Sequence, residues 1–236
     1  MMLDQWVLDR CWSNYELIKG DIRAVELIFN GLGGGVCSKW SPQELALAEQ
    51  NILSITPYYG PWCWMNRLAR QMVDELIEHI YQLLALPENT PLISSGGSMG
   101  GCAALLYCRY GQKVPIGCDV LYPVCDLIRH FRERKDVAPT MYHAFYGYPE
   151  PWDEVLKEHS PLHQADFMPC IPYLIIHGED DAAVAIGHSE KMAAALKQQN
   201  HQVEFIRVPR MGHAVNVPFT VWQKKVDFAV SLLDDL

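Results

Sequence analysis

The stretch Leu92-Ile-Ser-Ser-Gly-Gly-Ser-Met-Gly-Gly-Cys-Ala-Ala-Leu-Leu-Tyr107 decides the fold, because its pattern changes from that of a strand to a glycine-rich turn and then to that of a helix. Its first four residues predict a buried strand, and the run after the glycines predicts a helix over residues 99–109. Between them Gly96, Ser98 and Gly100 form the pattern G-x-S-x-G. A serine on so tight a turn needs neighbours two residues away that lack a Cβ atom. The stretch therefore predicts Ser98 as a nucleophile, and a merely glycine-rich connection is the alternative.

The same alternation of short apolar runs and longer helical patterns extends along the chain in both directions. It predicts an α/β fold with a mostly parallel central sheet and helices on both faces. Residues 1–20 fit a hairpin and a short helix equally poorly, so they stay unassigned. Strands are predicted over residues 24–29, 52–56, 92–95, 116–122, 172–177 and 203–208, and helices over residues 42–50, 67–86, 99–109, 189–199 and 219–233.

Two further expectations concern how this fold is packed. Residues 123–170 interrupt the alternation and carry several prolines, which predicts a lid-like excursion within a single domain of residues 1–236. In the helix predicted over residues 67–86, apolar side chains recur at steps of three and four, which indicates the face packed on the sheet. These side chains are Leu68, Met72, Leu76, Ile80 and Leu83.

A carboxylate and an imidazole follow two later strands, where ligands of a parallel sheet bind. Asp181 lies in the loop after the strand at residues 172–177, and His213 lies in the loop after the next strand. The order serine, aspartate, histidine is the one expected for a hydrolytic triad on such a sheet. Asp180, directly before Asp181, and Asp126, after an earlier strand, remain alternatives for the acid.

Composition limits the classes of function. The chain has 236 residues, of which 50% are hydrophobic, enough for one α/β domain. Its formal net charge of −9 argues against nucleic acid and anionic membranes as partners. Its eight cysteines form no C-x-x-C pair, no signal peptide or membrane-spanning run is recognisable, and a cytoplasmic location is therefore expected.

Neither a cofactor nor a metal is expected. The glycine-rich loops are followed by no Gly-Lys-Ser/Thr and form no G-x-G-x-x-G, so they lack the phosphate-binding patterns. His159 and His163 have the spacing of two ligands on one helix, but Pro161 between them argues against a continuous helix.

Three segments resemble the catalytic domain of the prolyl oligopeptidase (S9) family and related α/β-hydrolase esterases. They are residues 160–172, the run His177-Gly-Glu-Asp-Asp-Ala-Ala-Val184 and Met211-Gly-His213. The resemblance places the triad acid on Asp181. It implies a serine hydrolase that forms an acyl-enzyme, with a small carboxylic ester as the expected substrate because no β-propeller gating domain precedes these segments. A peptidase acting on short peptides and a non-catalytic binding protein on the same fold are the alternatives.

The resemblance also implies an oxyanion hole made of two backbone amides. Met99 follows the nucleophile and supplies one. The second comes from the loop Asn30-Gly-Leu-Gly-Gly-Gly35, which resembles the family's H-G-G-G loop and places the donor at Leu32, with Gly33 as the alternative. Asn30 stands where relatives usually have histidine.

The substrate pocket is expected beside this loop. Large rings after the second strand would form its wall, or they would instead be packing residues beneath the excursion. The candidate pocket residues are Gly33, Tyr58, Tyr59 and Trp62, and the aromatic residues of the excursion that would select substrates are Tyr142, Phe145, Tyr146, Tyr148 and Trp152.

Overall fold

A computed structural model describes residues 3–34 and 37–234 of the chain. Its described residues contain a seven-stranded sheet in the order β1-β3-β2-β4-β5-β6-β7. Strands β2 to β7 are parallel to one another, whereas β1 pairs antiparallel with β3 at the edge. The strands are β1 (Cys11–Ser13), β2 (Ala24–Phe29), β3 (Ile52–Pro57), β4 (Leu92–Gly97), β5 (Gly117–Leu121), β6 (Tyr173–Gly178) and β7 (Val203–Val208).

Helices connect these strands and cover the sheet. Helix α2 begins with a capping box, in which the Ser41 side chain accepts from the Glu44 N–H and the Glu44 carboxylate accepts from the Ser41 N–H. The helices are α1 (Gln5–Leu8), α2 (Pro42–Glu49), α3 (Arg67–Leu83), α4 (Met99–Tyr110), α5 (Leu127–Glu133), α6 (Ala138–Ala144), α7 (Trp152–Glu158), α8 (Gly187–Gln198) and α9 (Phe219–Asp234), with short 3-10 helices at Tyr15–Leu17 and Pro161–Phe167.

The predicted α/β class and its mostly parallel sheet are confirmed. The unassigned N-terminal residues contain both a one-turn helix, α1, capped by Asp4, and the edge strand β1. Neither element is long enough for a hydrophobic pattern in the sequence to identify it. The pairing of Cys11 with Pro57 and of Ser13 with Ile55 fixes β1, and this is a tertiary contact rather than a local signal.

The predicted inner face of α3 is confirmed at Leu76 and Ile80, which are buried, and Leu83 is partly buried against the core, but the prediction is wrong at Leu68 and Met72. Leu68 is 64% exposed and Met72 is 39% exposed. In the first turns of the helix Ala69 and Val73 take the buried positions instead; the full buried set is Ala69, Val73, Leu76, Ile77 and Ile80. The helix also ends before residue 86, because Ala85 adopts a left-handed backbone with φ of 49°.

The turn between β4 and α4 is held by two very close backbone approaches. A Cβ atom on Gly96 would lie 2.3 Å from the carbonyl oxygen of Gly100. A Cβ atom on Gly100 would lie 2.0 Å from the carbonyl oxygen of Phe29 at the end of β2. Both glycines of the G-x-S-x-G pattern are therefore required by packing, and not only by the turn itself.

Residues 123–170 leave the sheet after β5 and form α5, α6, α7 and the second 3-10 helix before β6. Polar contacts attach this excursion to the loop and helix that follow β3. Trp64 Nε1 donates to Thr140 Oγ1 at 2.8 Å, and Asn66 Nδ2 donates to the Ala144 carbonyl at 2.8 Å. In the described parts of the chain no helix is both long and apolar enough to cross a bilayer.

Gly100→Ala should destabilise the protein by more than about 3 kcal/mol, because the new methyl group cannot fit against Phe29 without moving backbone. Urea unfolding followed by circular dichroism measures this change. Gly31→Ala is the matched control in the neighbouring loop, since its Cβ would meet the nearest atom at 3.6 Å, an ordinary contact. Equal unfolding midpoints for the two variants would contradict the packing argument.

Candidate active site

Ser98 occupies the sharpest point of the turn after β4. Its backbone has φ of 58° and ψ of −123°, a conformation that a non-glycine residue rarely adopts. The surrounding backbone holds it there: its N–H donates to the Leu121 carbonyl at 3.0 Å, and its carbonyl accepts from the Val124 N–H at 3.2 Å. These hydrogen bonds to β5 and to the residues after it thus stabilise the strained backbone conformation of Ser98.

His213 is positioned by a close contact between two loops at the same edge of the sheet. A Cβ atom on Gly178, the last residue of β6, would lie 2.0 Å from the Met211 carbonyl oxygen. The Asp180 N–H donates to that same oxygen at 3.1 Å. The imidazole of His213 packs against the ring of Tyr122, with ring centroids 4.5 Å apart. Because Gly178 has no Cβ atom, the two loops can approach closely enough to place His213 at this edge of the sheet.

Three side chains from three different loops form one hydrogen-bonded chain. His213 Nε2 lies 3.0 Å from Ser98 Oγ, and His213 Nδ1 lies 2.8 Å from Asp181 Oδ2. Ser98 and His213 are partly exposed, whereas the Asp181 side chain is fully buried. With Nδ1–H donating to the carboxylate, Nε2 is free to accept the proton of the serine hydroxyl.

Asp181 is held in its ionised form by the groups around it. Its Oδ1 atom accepts from the N–H groups of Ala183 and Val184, both at 2.9 Å. Burial raises the pKa of Asp181, but hydrogen bonds from His177, His213 and the Val184 backbone outweigh burial and hold that pKa well below its usual value of 3.8. A carboxylate therefore faces His213 throughout the neutral pH range.

A buried histidine supports the Asp181 loop from behind. The His177 side chain is fully buried, with Nδ1 2.7 Å from Ser189 Oγ and Nε2 2.9 Å from the Val184 carbonyl. Its Nε2 also lies 3.4 Å from Asp181 Oδ2. The sequence predicted only a strand-end residue here, because Ser189 belongs to α8 and its contact with His177 depends on how that helix packs.

The alternative acids lie elsewhere. Asp180 is exposed to solvent. Asp126 caps helix α5, where its Oδ1 accepts from the Arg129 N–H at 3.0 Å. His159 is fully buried and His163 is exposed; His159 Nε2 lies 2.8 Å from Arg70 Nη2. Within residues 3–34 and 37–234, no group of three or more His, Cys, Asp or Glu side chains is arranged to hold a metal ion.

The loop after β2 lies directly beside the nucleophile. The Cβ position of Gly31 is 3.7 Å from Ser98 Cβ. Tyr59 fixes the start of this loop, since its hydroxyl donates to the Asn30 carbonyl at 2.8 Å. The Gly33 N–H donates to the Pro61 carbonyl, which leaves it unavailable as an oxyanion donor. Gly35 of this predicted loop lies outside the described residues.

Leu32 and Met99 remain the two candidate amide donors. Leu32 lines the cavity that contains Ser98. Met99 is the first residue of α4, and the first N–H groups of a helix have no acceptor within the helix. The positive end of the helix dipole points to the same place, which favours a negative oxygen beside Ser98.

The cavity at Ser98 has a volume of about 640 Å³. Its walls come from the loops after β2, β3 and β7, the turn after β4, helices α2, α5 and α9, and the loop that carries Asp181. Residues lining it include Asn30, Gly31, Leu32, Trp64, Ser98, Tyr122, His130, Arg134, Val137, Ala183, Val184 and His213. A volume of this size fits a small-molecule substrate.

The predicted pocket residues are not the ones that form this wall. Tyr58 lines a separate small cavity with Trp6, and Trp62 lines a surface groove with His143. Tyr59 is buried behind the loop after β2, and Gly33 is bonded to Pro61. Trp64 turns into the cavity instead, because Trp64 and Met65 adopt left-handed backbones with φ of 49° and 51°.

The aromatic residues predicted to select substrates pack mainly on one another. Tyr142 stacks on Trp152 with ring centroids 4.6 Å apart, Phe145 contacts Tyr148 and Trp152, and Tyr146 is 90% exposed. The excursion contributes His130, Arg134 and Val137 to the cavity. No pattern in the sequence distinguished these three residues, because α5 and α6 are each only seven residues long.

The chain matches one protein family over most of its length. Residues 70–234 match the sequence profile described as the prolyl oligopeptidase family of S9 peptidases. An uncharacterised peptidase of Bacillus subtilis (strain 168), YtmA, is 35% identical over 81 residues, which cover 34% of this chain and 31% of that protein.

Solved structures with the same fold include peptidases and esterases. A puromycin-hydrolysing peptidase of Mycobacterium tuberculosis superimposes with a TM-score of 0.71 at 20% identity, over 91% of this chain and 35% of that one. A truncated carbohydrate esterase from gut microbiota gives a TM-score of 0.68 at 15% identity, over 92% of this chain and 87% of that one. The chain thus spans about a third of the length of the two peptidases and most of the esterase.

Asp181 should make the protein more stable above pH 4 than below it. Because folding lowers the pKa of this carboxyl, its contribution is complete above the unfolded value of 3.8 and is lost as the pH falls toward the folded value. Asp181→Asn should therefore reduce the slope of unfolding free energy against pH on the acid side by up to about 1.4 kcal/mol per pH unit.

Urea unfolding at several pH values between about 2 and 5 measures this slope. Asp180→Asn is the control, because the Asp180 carboxylate is exposed to solvent and should leave the slope unchanged. A wild-type slope in Asp181→Asn would show that the hydrogen bonds to Asp181 do not stabilise the fold.

Proposed function

Because the chain belongs to the prolyl oligopeptidase family, we propose that it is a serine hydrolase that cleaves small carboxylic esters. The observation that carries the proposal is the continuous hydrogen-bonded chain from Asp181 through His213 to Ser98, which ends in a cavity. A hydroxyl is a weak nucleophile until a base takes its proton, and this arrangement supplies the base.

The proposed reaction has two steps. Ser98 Oγ attacks the ester carbonyl carbon while its proton passes to His213 Nε2, and that proton then goes to the departing alcohol oxygen. This leaves an acyl group on Ser98. In the second step His213 takes a proton from water, the water oxygen attacks the acyl carbon, and Ser98 recovers its proton as the acid is released.

Charge develops on the carbonyl oxygen in both steps. We assign its stabilisation to the N–H groups of Leu32 and Met99, aided by the N-terminus of α4. Asp181 keeps His213 in the tautomer whose Nε2 accepts, and it balances the charge of the imidazolium that forms. Each of these contributions comes from this chain's own residues and needs no cofactor.

Two observations support a small ester as the substrate. The cavity of about 640 Å³ matches the size of a small molecule. The superposition on the carbohydrate esterase covers most of both chains. A peptide is the second candidate, favoured by the family match and by the likeness to the puromycin-hydrolysing peptidase.

Ser98 should react covalently with a fluorophosphonate probe. The wild-type protein is expected to be labelled within minutes, and the label should map to the peptide that contains Ser98. Ser98→Ala should lose the label and at least about a thousandfold in kcat. Ser95→Ala is the matched control, since Ser95 lies buried in β4 just before the turn, with its hydroxyl donating to Asp119. A folded wild-type protein that stays unlabelled would remove the basis of the proposal.

Ester and amide substrates should separate the two candidate functions. We expect p-nitrophenyl acetate and butyrate to be hydrolysed with a kcat/KM at least about a hundredfold above that of aminoacyl and dipeptidyl p-nitroanilides, a difference of about 2.7 kcal/mol in barrier. The release of p-nitrophenol and p-nitroaniline, measured at one pH, gives this ratio. A ratio below one would assign the chain to the peptidases, while labelling of Ser98 would still support the serine mechanism.

A further inference from the structure

His130 is a polar side chain set into the wall of the Ser98 cavity. It belongs to α5, is only 3% exposed and lines the cavity together with Val137 and Val184. Its imidazole packs between two rings, with its centroid 5.8 Å from that of Trp64 and 5.7 Å from that of His188. These contacts fix the ring beside the space that a substrate would fill.

The His130 imidazole makes no hydrogen bond to any other described residue. The other buried histidines all do: His177 bonds Ser189 and Val184, His159 bonds the Val155 carbonyl, and His188 Nδ1 accepts two backbone N–H groups. The His130 ring nitrogens are not among the fully enclosed polar atoms that lack a partner, which indicates that they open onto the cavity rather than onto the protein interior. The cavity offers the place where a partner could bind.

The His130 ring is neutral when the enzyme works. Burial, together with the nearby His188 and Arg134, lowers the pKa of His130 to about 3. A neutral imidazole has one nitrogen that donates and one that accepts. It therefore matches an uncharged hydrogen-bonding group better than an ion.

Although Arg134 lies close to His130, this part of the cavity wall is not an anion-binding site, because the Arg134 guanidinium already has partners. Its Nε and Nη2 atoms donate to the Asp136 carboxylate at 2.9 and 2.7 Å, and its Nη1 atom donates to the Ala183 carbonyl at 2.8 Å. The Asp136 carboxylate thus balances its positive charge. The neighbouring surface of Val137, Val184 and Trp64 is apolar, which strengthens any hydrogen bond formed to His130.

We propose that His130 is a specificity-determining residue that binds an uncharged hydroxyl group of the substrate. A hydroxyl both donates and accepts, so it can pair with either nitrogen of the ring. This inference rests on the proposed esterase function and specifies its substrate: an ester whose acyl or alcohol part carries a hydroxyl, such as a hydroxy acid ester or an ester of a polyol.

Two pairs of esters that differ only by a hydroxyl in place of a methyl group test this directly. Ethylene glycol monoacetate is paired with propyl acetate, and p-nitrophenyl β-hydroxybutyrate with p-nitrophenyl isovalerate. In at least one pair the wild-type kcat/KM should favour the hydroxyl ester by about tenfold or more. If neither pair shows this preference, the inference is wrong, whatever the variants do.

Variants locate the preference at His130. His130→Leu should bring the ratio within the preferred pair to about one or below, because an apolar wall binds the methyl ester at least as well. His130→Gln and His130→Asn retain a donor and an acceptor, and at least one of them should restore part of the ratio. His143→Leu is the matched control, since this exposed histidine of the excursion lines a different groove and should keep the wild-type ratio.

The ratio distinguishes specificity from a general loss of activity. A lower rate on both esters of a pair with an unchanged ratio, in His130→Leu and in both conservative variants, would make His130 a packing residue and overturn the inference. The proposed function would survive that result. Absence of hydrolysis and of fluorophosphonate labelling in a folded wild-type protein would instead overturn the proposed function and this inference with it.

Discussion

Two backbone contacts that only glycine permits bring the loops of this site together. Gly100 lies against the Phe29 carbonyl and Gly178 against the Met211 carbonyl, and in each case a Cβ atom would stand 2.0 Å from the oxygen. The first contact joins the Ser98 turn to the end of β2, beside the loop that carries Leu32. The second joins the loop after β6 to the loop after β7. The distances among Ser98, His213 and Asp181 therefore follow from how closely neighbouring loops pack.

A buried charge cluster stabilises the sheet beneath the Ser98 turn. The Asp119 carboxylate accepts from Ser95 Oγ and from Lys225 Nζ, both at 2.9 Å, and so ties β4 and β5 to α9. Burial, together with the Asp119 charge, raises the pKa of the nearby Glu26 carboxyl to about 8. Glu26 is then mostly protonated at neutral pH, which leaves one carboxylate for one ammonium group. This balance lets the cluster remain buried without an unpaired charge.

The sequence predicted the parts of the site that depend on strand order. Parallel strands end at a common edge, so residues directly after β4, β6 and β7 must meet there, and this reasoning predicted that Ser98, Asp181 and His213 lie close together, as they do. The cavity wall depended on packing that has no local pattern. A left-handed backbone at Trp64 turns its ring into the cavity, whereas the sequence predicted that Trp62 would line the pocket. Helix α5 is too short for a hydrophobic pattern to show which of its faces carries His130.

The residues proposed to carry out the reaction and those proposed to select the substrate lie on parts of the fold that are held in different ways. The hydrogen-bonded chain lies on loops fixed to the sheet by backbone contacts, whereas the part of the cavity wall formed by Trp64 and His130 comes from the loop after β3 and the excursion after β5. These two segments hold one another through side chains, including the bond from Trp64 to Thr140 and that from Asn66 to the Ala144 carbonyl. Substitutions there can reshape the cavity without moving Ser98 or His213. For this reason a shared fold and a hydrogen-bonded chain of serine, histidine and aspartate are compatible with both peptidases and esterases, and the wall residues have to decide between substrates.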